Sequence, residues 1–188
     1  MADRDQITRW LNDWVEGDES AFERMAPVVY EELRQVARRL FSRERGGLTL
    51  QPTALVHEAY GRLIGLDIEV ANREHFYALA ARTMRRLLIN HARARNAAKR
   101  GGQDSPITLK EDQIAENQAI DVLALDEALT RLSEHDARKA EILELSYFGG
   151  LTHPAIARLL GISEATVVRD KRVATLWLRK FMADDQAG

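Results

Sequence analysis

Apolar residues recur along this chain at helical spacing almost everywhere. Ile7, Trp10, Leu11 and Trp14 fall at i, i+3, i+4 and i+7, a helix that Gly17 is placed to end. Ser20-Ala-Phe-Glu23 has the form of a capping box. Phe22, Met25, Val29, Leu33, Val36 and Leu40 carry the stripe onward, with a break expected near Pro27 and an interruption at Gly46-Gly47. A helix is expected from Pro52, because proline is preorganised for the first helical position; Leu55, Val56, Tyr60, Leu63 and Ile64 follow in period. A loop over Gly65 to Asn72 precedes a further helix bearing Phe76, Leu79, Met84, Leu87 and Leu88, which runs out near Arg100-Gly101-Gly102. Helical signals resume with Val122, Leu125, Leu129 and Leu132. Ser133-Glu-His-Asp136 reads as a second capping box, opening a helix through Ile142, Leu143 and Leu145 to Phe148-Gly149-Gly150. No segment alternates with period two. The expected fold is all-α: two small helical domains, residues 1–100 and 122–188, joined by a flexible acidic linker over 101–121.

Charge changes this picture more than composition does. The 188 residues are 45 % apolar and 30 % charged, too apolar for disorder, and carry a formal net charge of −2. That average hides a segregation. Arg73, Arg82, Arg85, Arg86, Arg93, Arg95, Lys99 and Arg100 face a single acid, Glu74, within their segment, whereas Glu111, Asp112, Glu116, Asp121, Asp126 and Glu127 dominate the next. A basic block on a helix is either a solvated face or a nucleic-acid footprint. With no cysteine, disulfides and thiolate metal sites are excluded. The charged start has no apolar run behind it and no stretch has the length of a membrane span, so a soluble cytoplasmic protein without a membrane partner is expected.

The sharpest local motif lies between Leu151 and Phe181. Thr152 is placed to cap a short helix, His153 to Leu160, with Ile156, Leu159 and Leu160 toward a core. Gly161 ends it by supplying a left-handed residue, Ile162 fills the angle, and Ser163 caps the next helix, whose far end Val173, Leu176, Trp177 and Phe181 would anchor. Two short helices around a glycine turn, the second basic, form the DNA-reading helix-turn-helix pattern. Glu164, Thr166 and Arg169 are then expected at base edges, and Lys171 and Arg172 at phosphates.

Three segments together resemble the extracytoplasmic-function (ECF) group of bacterial sigma factors. They are Leu55-Val-His-Glu-Ala-Tyr60 with Arg62-Leu63-Ile64, the helix from Phe76 through Arg82 to Asn90-His-Ala-Arg93, and Leu151-Thr-His-Pro-Ala-Ile-Ala157 through Gly161-Ile-Ser163. They span nearly the whole chain in the family's order. The resemblance implies that the N-terminal domain binds the clamp of core RNA polymerase through Thr53, Leu55, Val56, Glu58, Tyr60 and Arg62, and melts and reads the minus-ten element. It implies that the C-terminal domain reads the minus-thirty-five element, and that the acidic linker threads through the polymerase. Melting requires a pocket for an unstacked base above a cationic groove. Asn72 and Arg73 are assigned near that base, with Arg82, Arg85, Arg86, Asn90, Arg93 and Arg95 along the strand.

One departure stands out. Most members of the family carry an acidic cluster before the clamp-binding helix, where this chain has Gln51-Pro52-Thr53-Ala54. In this it resembles a subgroup linked to serine/threonine kinases. Phosphorylation of Thr53 would place about −1.5 to −2 charges in the first turn of a helix, where anions are favoured. Thr49 and Thr83 are rival targets, and helix initiation is the bland role for Thr53. An anti-sigma factor is a further partner the resemblance leaves open.

Catalysis is not expected. His57, His75, His91, His135 and His153 are scattered, with no metal-ligand spacing, Gly-rich phosphate loop or nucleophile elbow, so neither metal nor cofactor is expected. The competing reading is a helix-turn-helix repressor or activator that acts without polymerase, usually as a symmetric dimer.

Overall fold

The computed structural model describes residues 4–41, 51–64, 72–101 and 122–185. Among the described residues there are eight helices and no strand: α1 (Arg4–Val15), α2 (Glu19–Phe41), α3 (Pro52–Ile64), α4 (Arg73–Gly101), α5 (Val122–His135), α6 (Ala137–Tyr147), α7 (His153–Leu160) and α8 (Glu164–Asp185). The fold is all-α, as the periodicity predicts. The Gly46-Gly47 interruption, the loop through Ala71, the linker over 102–121 with its acids up to Asp121, and Thr49 lie outside the described residues.

The apolar stripes become cores. Ile7, Leu11, Met25, Val29, Leu33, Leu55, Val56, Met84, Leu87 and Leu88 are buried together where α1 to α4 pack. Leu125, Leu129, Leu132, Leu143, Ala174 and Leu178 are buried in the same continuous cluster from α5, α6 and α8. A smaller cluster joins Ala78 of α4 to Ile142, Leu145, Ile156 and Val167. α4 is therefore a wall shared by both groups of helices. Toward α5–α7 it presents small residues, Ala78 and Ala81, and the Gly149-Gly150 turn comes close: a methyl group at position 149 would stand 3.1 Å from the Ala81 Cβ.

Helix ends explain several differences from the sequence expectations. α2 runs unbroken past Pro27, so packing of its stripe overrides the lost backbone bond. The Ser20–Glu23 box is not used: Asp18 accepts from the Ser20 amide at 2.9 Å and from the Arg24 guanidinium at 3.0 Å. Those bonds, led by the Ser20 hydroxyl, hold the Asp18 carboxyl below its ordinary range. Ser133 falls inside α5, and Asp136 alone caps α6, accepting from the Lys139 amide at 3.0 Å. On α8 the anchoring register is shifted. Ala174 and Leu178 are buried and Trp177 stacks on Phe181 at 5.2 Å, whereas Val173 and Leu176 face outward.

Candidate nucleic-acid interface

α7 and α8 form the helix-turn-helix. Gly161 adopts φ 64°, ψ 33°, the left-handed conformation open to glycine at low cost, and its amide closes α7 onto Ala157 and Arg158. Thr152 occupies the N-cap position of α7 without a side-chain bond, with Pro154 in the first turn. Ser163 caps α8, accepting from the Thr166 amide at 3.1 Å, and its hydroxyl lies 2.8 Å from that of Thr166. The first turns of α8 thus expose Glu164, Ala165, Val168, Arg169 and Arg172 on a rigid support. Thr166 is half-buried by its capping contact. Lys171 is half-buried too, its Nζ 3.4 Å from His153 Nε2, and burial lowers its pKa. Of the α8 residues expected at DNA, Glu164, Arg169 and Arg172 are the exposed ones.

Sequence reasoning missed the residue that fixes this helix. Asp170 is buried on the inner side of α8, where its carboxylate takes Arg138 Nη2 at 2.8 Å and Arg169 Nε at 3.5 Å. An acid amid basic neighbours in a recognition helix was the available signal.

α4 gathers the second basic set. Asn72 caps it, accepting from the His75 amide at 2.9 Å. Arg73, expected beside an unstacked base, is turned inward: its guanidinium meets Glu32 at 2.9 Å and lies 4.7 Å from the Tyr77 ring centre. The Tyr77 hydroxyl also donates to Glu32, and burial, with the adjacent carboxylate, drives its pKa far above the ordinary range. This cluster lines a cleft of about 370 Å³ between α2, α4 and the Gly149-Gly150 turn. Farther along, Arg82 pairs with Glu141 at 2.8 Å, Arg85 with Asp126 at 2.7 Å and Glu144 at 3.2 Å, and Arg93 with Asp126 at 3.6 Å. Arg86 and Asn90 are exposed. The Arg95 side chain lies outside the described ones.

α3 divides by face. Leu55 and Val56, expected at the polymerase surface, are fully buried and support the helix from within. Tyr60 is half-buried against Phe22 and Tyr30, and its hydroxyl is buried without a hydrogen-bond partner, which raises its pKa. The outward face carries Thr53, Ala54, His57, Gly61 and Arg62. Glu58 bridges His91 of α4 at 3.0 Å and Arg62 at 2.8 Å; the His91 bond, then Arg62, holds its carboxyl below the ordinary range. His57, outside the docking set expected from the sequence, shares this outward face.

Among the described residues no group of histidines and carboxylates could hold a metal ion, and no helix is long and apolar enough to cross a membrane. Compared with known families, residues 4–184 match the model described as ECF sigma factor. No curated protein matches the chain.

Proposed function

The chain belongs to the ECF sigma factor family and so directs RNA polymerase to promoters for transcription initiation, and from that premise we propose how the task is divided along its helices. α3 docks on the polymerase clamp through its outward face, Thr53, His57 and Arg62, with Glu58 orienting Arg62. α4 holds the melted minus-ten strand with Arg82, Arg85, Arg86, Asn90, Arg93 and Arg95, because a row of guanidinium and amide groups along one helix follows a phosphate backbone. α8 reads the minus-thirty-five duplex through Glu164, Arg169 and Arg172, with Thr166 and Lys171 behind them. Asn72 and Arg73 build the α4 N-terminus rather than touch a base directly. The observation that carries this reading is one chain holding both a glycine-turn helix-turn-helix and, on α4, a separate arginine-rich helix that a duplex-only binder would not use.

Thr53 is the proposed control point. It is exposed in the first turn of α3, which carries no acid. A phosphate there would sit at the positive end of the helix dipole and offer oxygens to a basic clamp, making a serine/threonine kinase the activating partner. An anti-sigma factor would compete for the same outward surfaces.

Run-off transcription with core polymerase tests both levels, comparing wild type, Thr53→Glu and Thr53→Ala. Transcription by any form supports the division of labour, and a gain confined to Thr53→Glu supports the switch. Equal activity of Thr53→Ala and wild type in cells where the factor is active removes the switch. Duplex binding as a dimer with no transcription by any form removes the proposed division.

A further inference from the structure

Among the described residues, the large apolar side chains left exposed are Val168, Val173 and Leu176, and all three lie on α8. A scattered exposed valine needs no explanation, because folded proteins leave much apolar surface in water. Val168 is not scattered. It stands one helical turn after Glu164 and one turn before Arg172, along a single ridge of the helix, with Ala165 and Arg169 beside it, and all five are exposed. The reading face of α8 is therefore charged around its margin and apolar in the middle. Val173 and Leu176 come later, past the turns that a helix-turn-helix puts into the groove.

Neither helix formation nor the core accounts for a valine here. Branching at Cβ makes valine a poorer helix former than alanine. The Val168 side chain is 46 % exposed, while its neighbour Val167 is fully buried in the small cluster with Ile142, Leu145 and Ile156. That burial fixes the rotation of the helix, so Val168 cannot turn inward without breaking the cluster. Asp170, buried and held by Arg138 at 2.8 Å, fixes the rotation a second time. The same branching leaves Val168 one strongly preferred rotamer in a helix, and its methyl groups are held in place before any DNA arrives.

We propose that Val168 is a specificity determinant for the minus-thirty-five element, packing on the C5-methyl group of a thymine in the major groove. This deepens, and rests on, the assignment of α8 to that element. The charged groups on the face read donors and acceptors: a carboxylate accepts from the exocyclic amino group of cytosine, and a guanidinium forks onto guanine O6 and N7. Neither recognises a methyl group, which marks thymine alone among the unmodified bases on this edge. An apolar side chain between an acid and two arginines supplies that contact, removing from water a methyl group that a charged residue would leave wet. The element is thus expected to hold an A·T pair beside its G·C contacts.

The test uses holoenzyme reconstituted from this chain and core polymerase. Its minus-thirty-five element is first selected from duplexes randomised over that region. Each thymine of the selected element is then replaced singly by deoxyuridine, which removes the methyl group and leaves the pairing intact. Wild type is expected to bind about three- to fivefold more weakly when one particular thymine is replaced, the worth of one buried methyl group. Val168→Ala should bind the thymine duplex more weakly by the same factor and be indifferent to the replacement. The exposed position and the higher helix propensity of alanine keep this variant folded. Indifference of wild type to every replacement, a selected element without an A·T pair, or an equal penalty in Val168→Ala and wild type overturns the methyl contact while leaving α8 as a DNA reader. If Arg169→Ala/Arg172→Ala selects the same element as wild type, α8 does not read this DNA, and the Val168 assignment falls with it.

Discussion

Arg138 reaches across from α6 to Asp170 of α8 at 2.8 Å, and Asp170 is the one buried charged residue among those described. The pair sets how α8 is presented. Arg138 is half-exposed, so its own desolvation is modest, while the carboxylate depends on it for neutralisation.

Removing that neutralisation should be felt in stability. Arg138→Ala is expected to lower the unfolding free energy by about 1–3 kcal/mol, since a buried carboxylate is left with one longer contact. Arg169→Ala, at the exposed 3.5 Å contact, should stay within about 0.5 kcal/mol of wild type. Urea unfolding of the two variants measures the difference, and equal effects would deny Arg138 its role.

Gly150 and Gly161 separate strain from collision. Both have φ near +60°, but nothing lies within 4 Å of a Cβ at Gly161, whereas one at Gly150 would stand 2.7 Å from Val36 Cγ2. Gly161→Ala should cost about 1–2 kcal/mol from backbone strain alone. Gly150→Ala should cost more and expand the molecule, because the added methyl wedges the turn away from α2. Denaturation and small-angle scattering together check this; an unexpanded Gly150→Ala would contradict it.

On α3 the two faces should answer differently. Leu55→Ala empties a fully buried site and is expected to cost about 2–5 kcal/mol. His57→Ala should leave stability within about 0.5 kcal/mol and weaken binding to core polymerase. Thermal unfolding and a core-binding titration distinguish them, and unaltered binding by His57→Ala would move the docking face elsewhere.

The α3–α4 contact should weaken in acid. The folded-state pKa of Glu58 lies below its ordinary value of 4.5, chiefly through its His91 bond. Its contribution is therefore complete above that value and is lost as pH falls through the depressed one. Glu58→Gln should flatten this part of the stability profile, with a small amplitude because the carboxylate is well exposed. A profile unchanged by the substitution would assign the acid sensitivity to another group.

Helical periodicity placed all of the described helices because each buries a stripe of large apolar residues, and that stripe is written in the chain. The turn at Gly161 was legible for a similar reason, since a left-handed residue between two short helices leaves a glycine behind. Pair geometry was not legible. Arg73, Arg82 and Arg85 look alike in sequence, yet Arg73 is folded onto Tyr77 and Glu32 while Arg85 is taken by Asp126 and Glu144 across more than forty residues of chain. Val173 and Leu176 read as inward because a stripe one residue off register also fits a helix; only the packing of Ala174 and Leu178 decides between them. The docking of α5–α7 on α4 was less legible because part of it uses Ala78, Ala81, Gly149 and Gly150, which carry little hydrophobic signal.

The occupied arginines also bear on how salt should act. A free cationic helix that captures a strand sheds condensed counterions, and log K falls with log salt by about 0.7 per phosphate neutralised. Arg82, Arg85 and Arg93 exchange one anion for another instead, and the carboxylates they abandon gather cations from solution. Strand binding to α4 should therefore be less salt-sensitive than its arginine content implies.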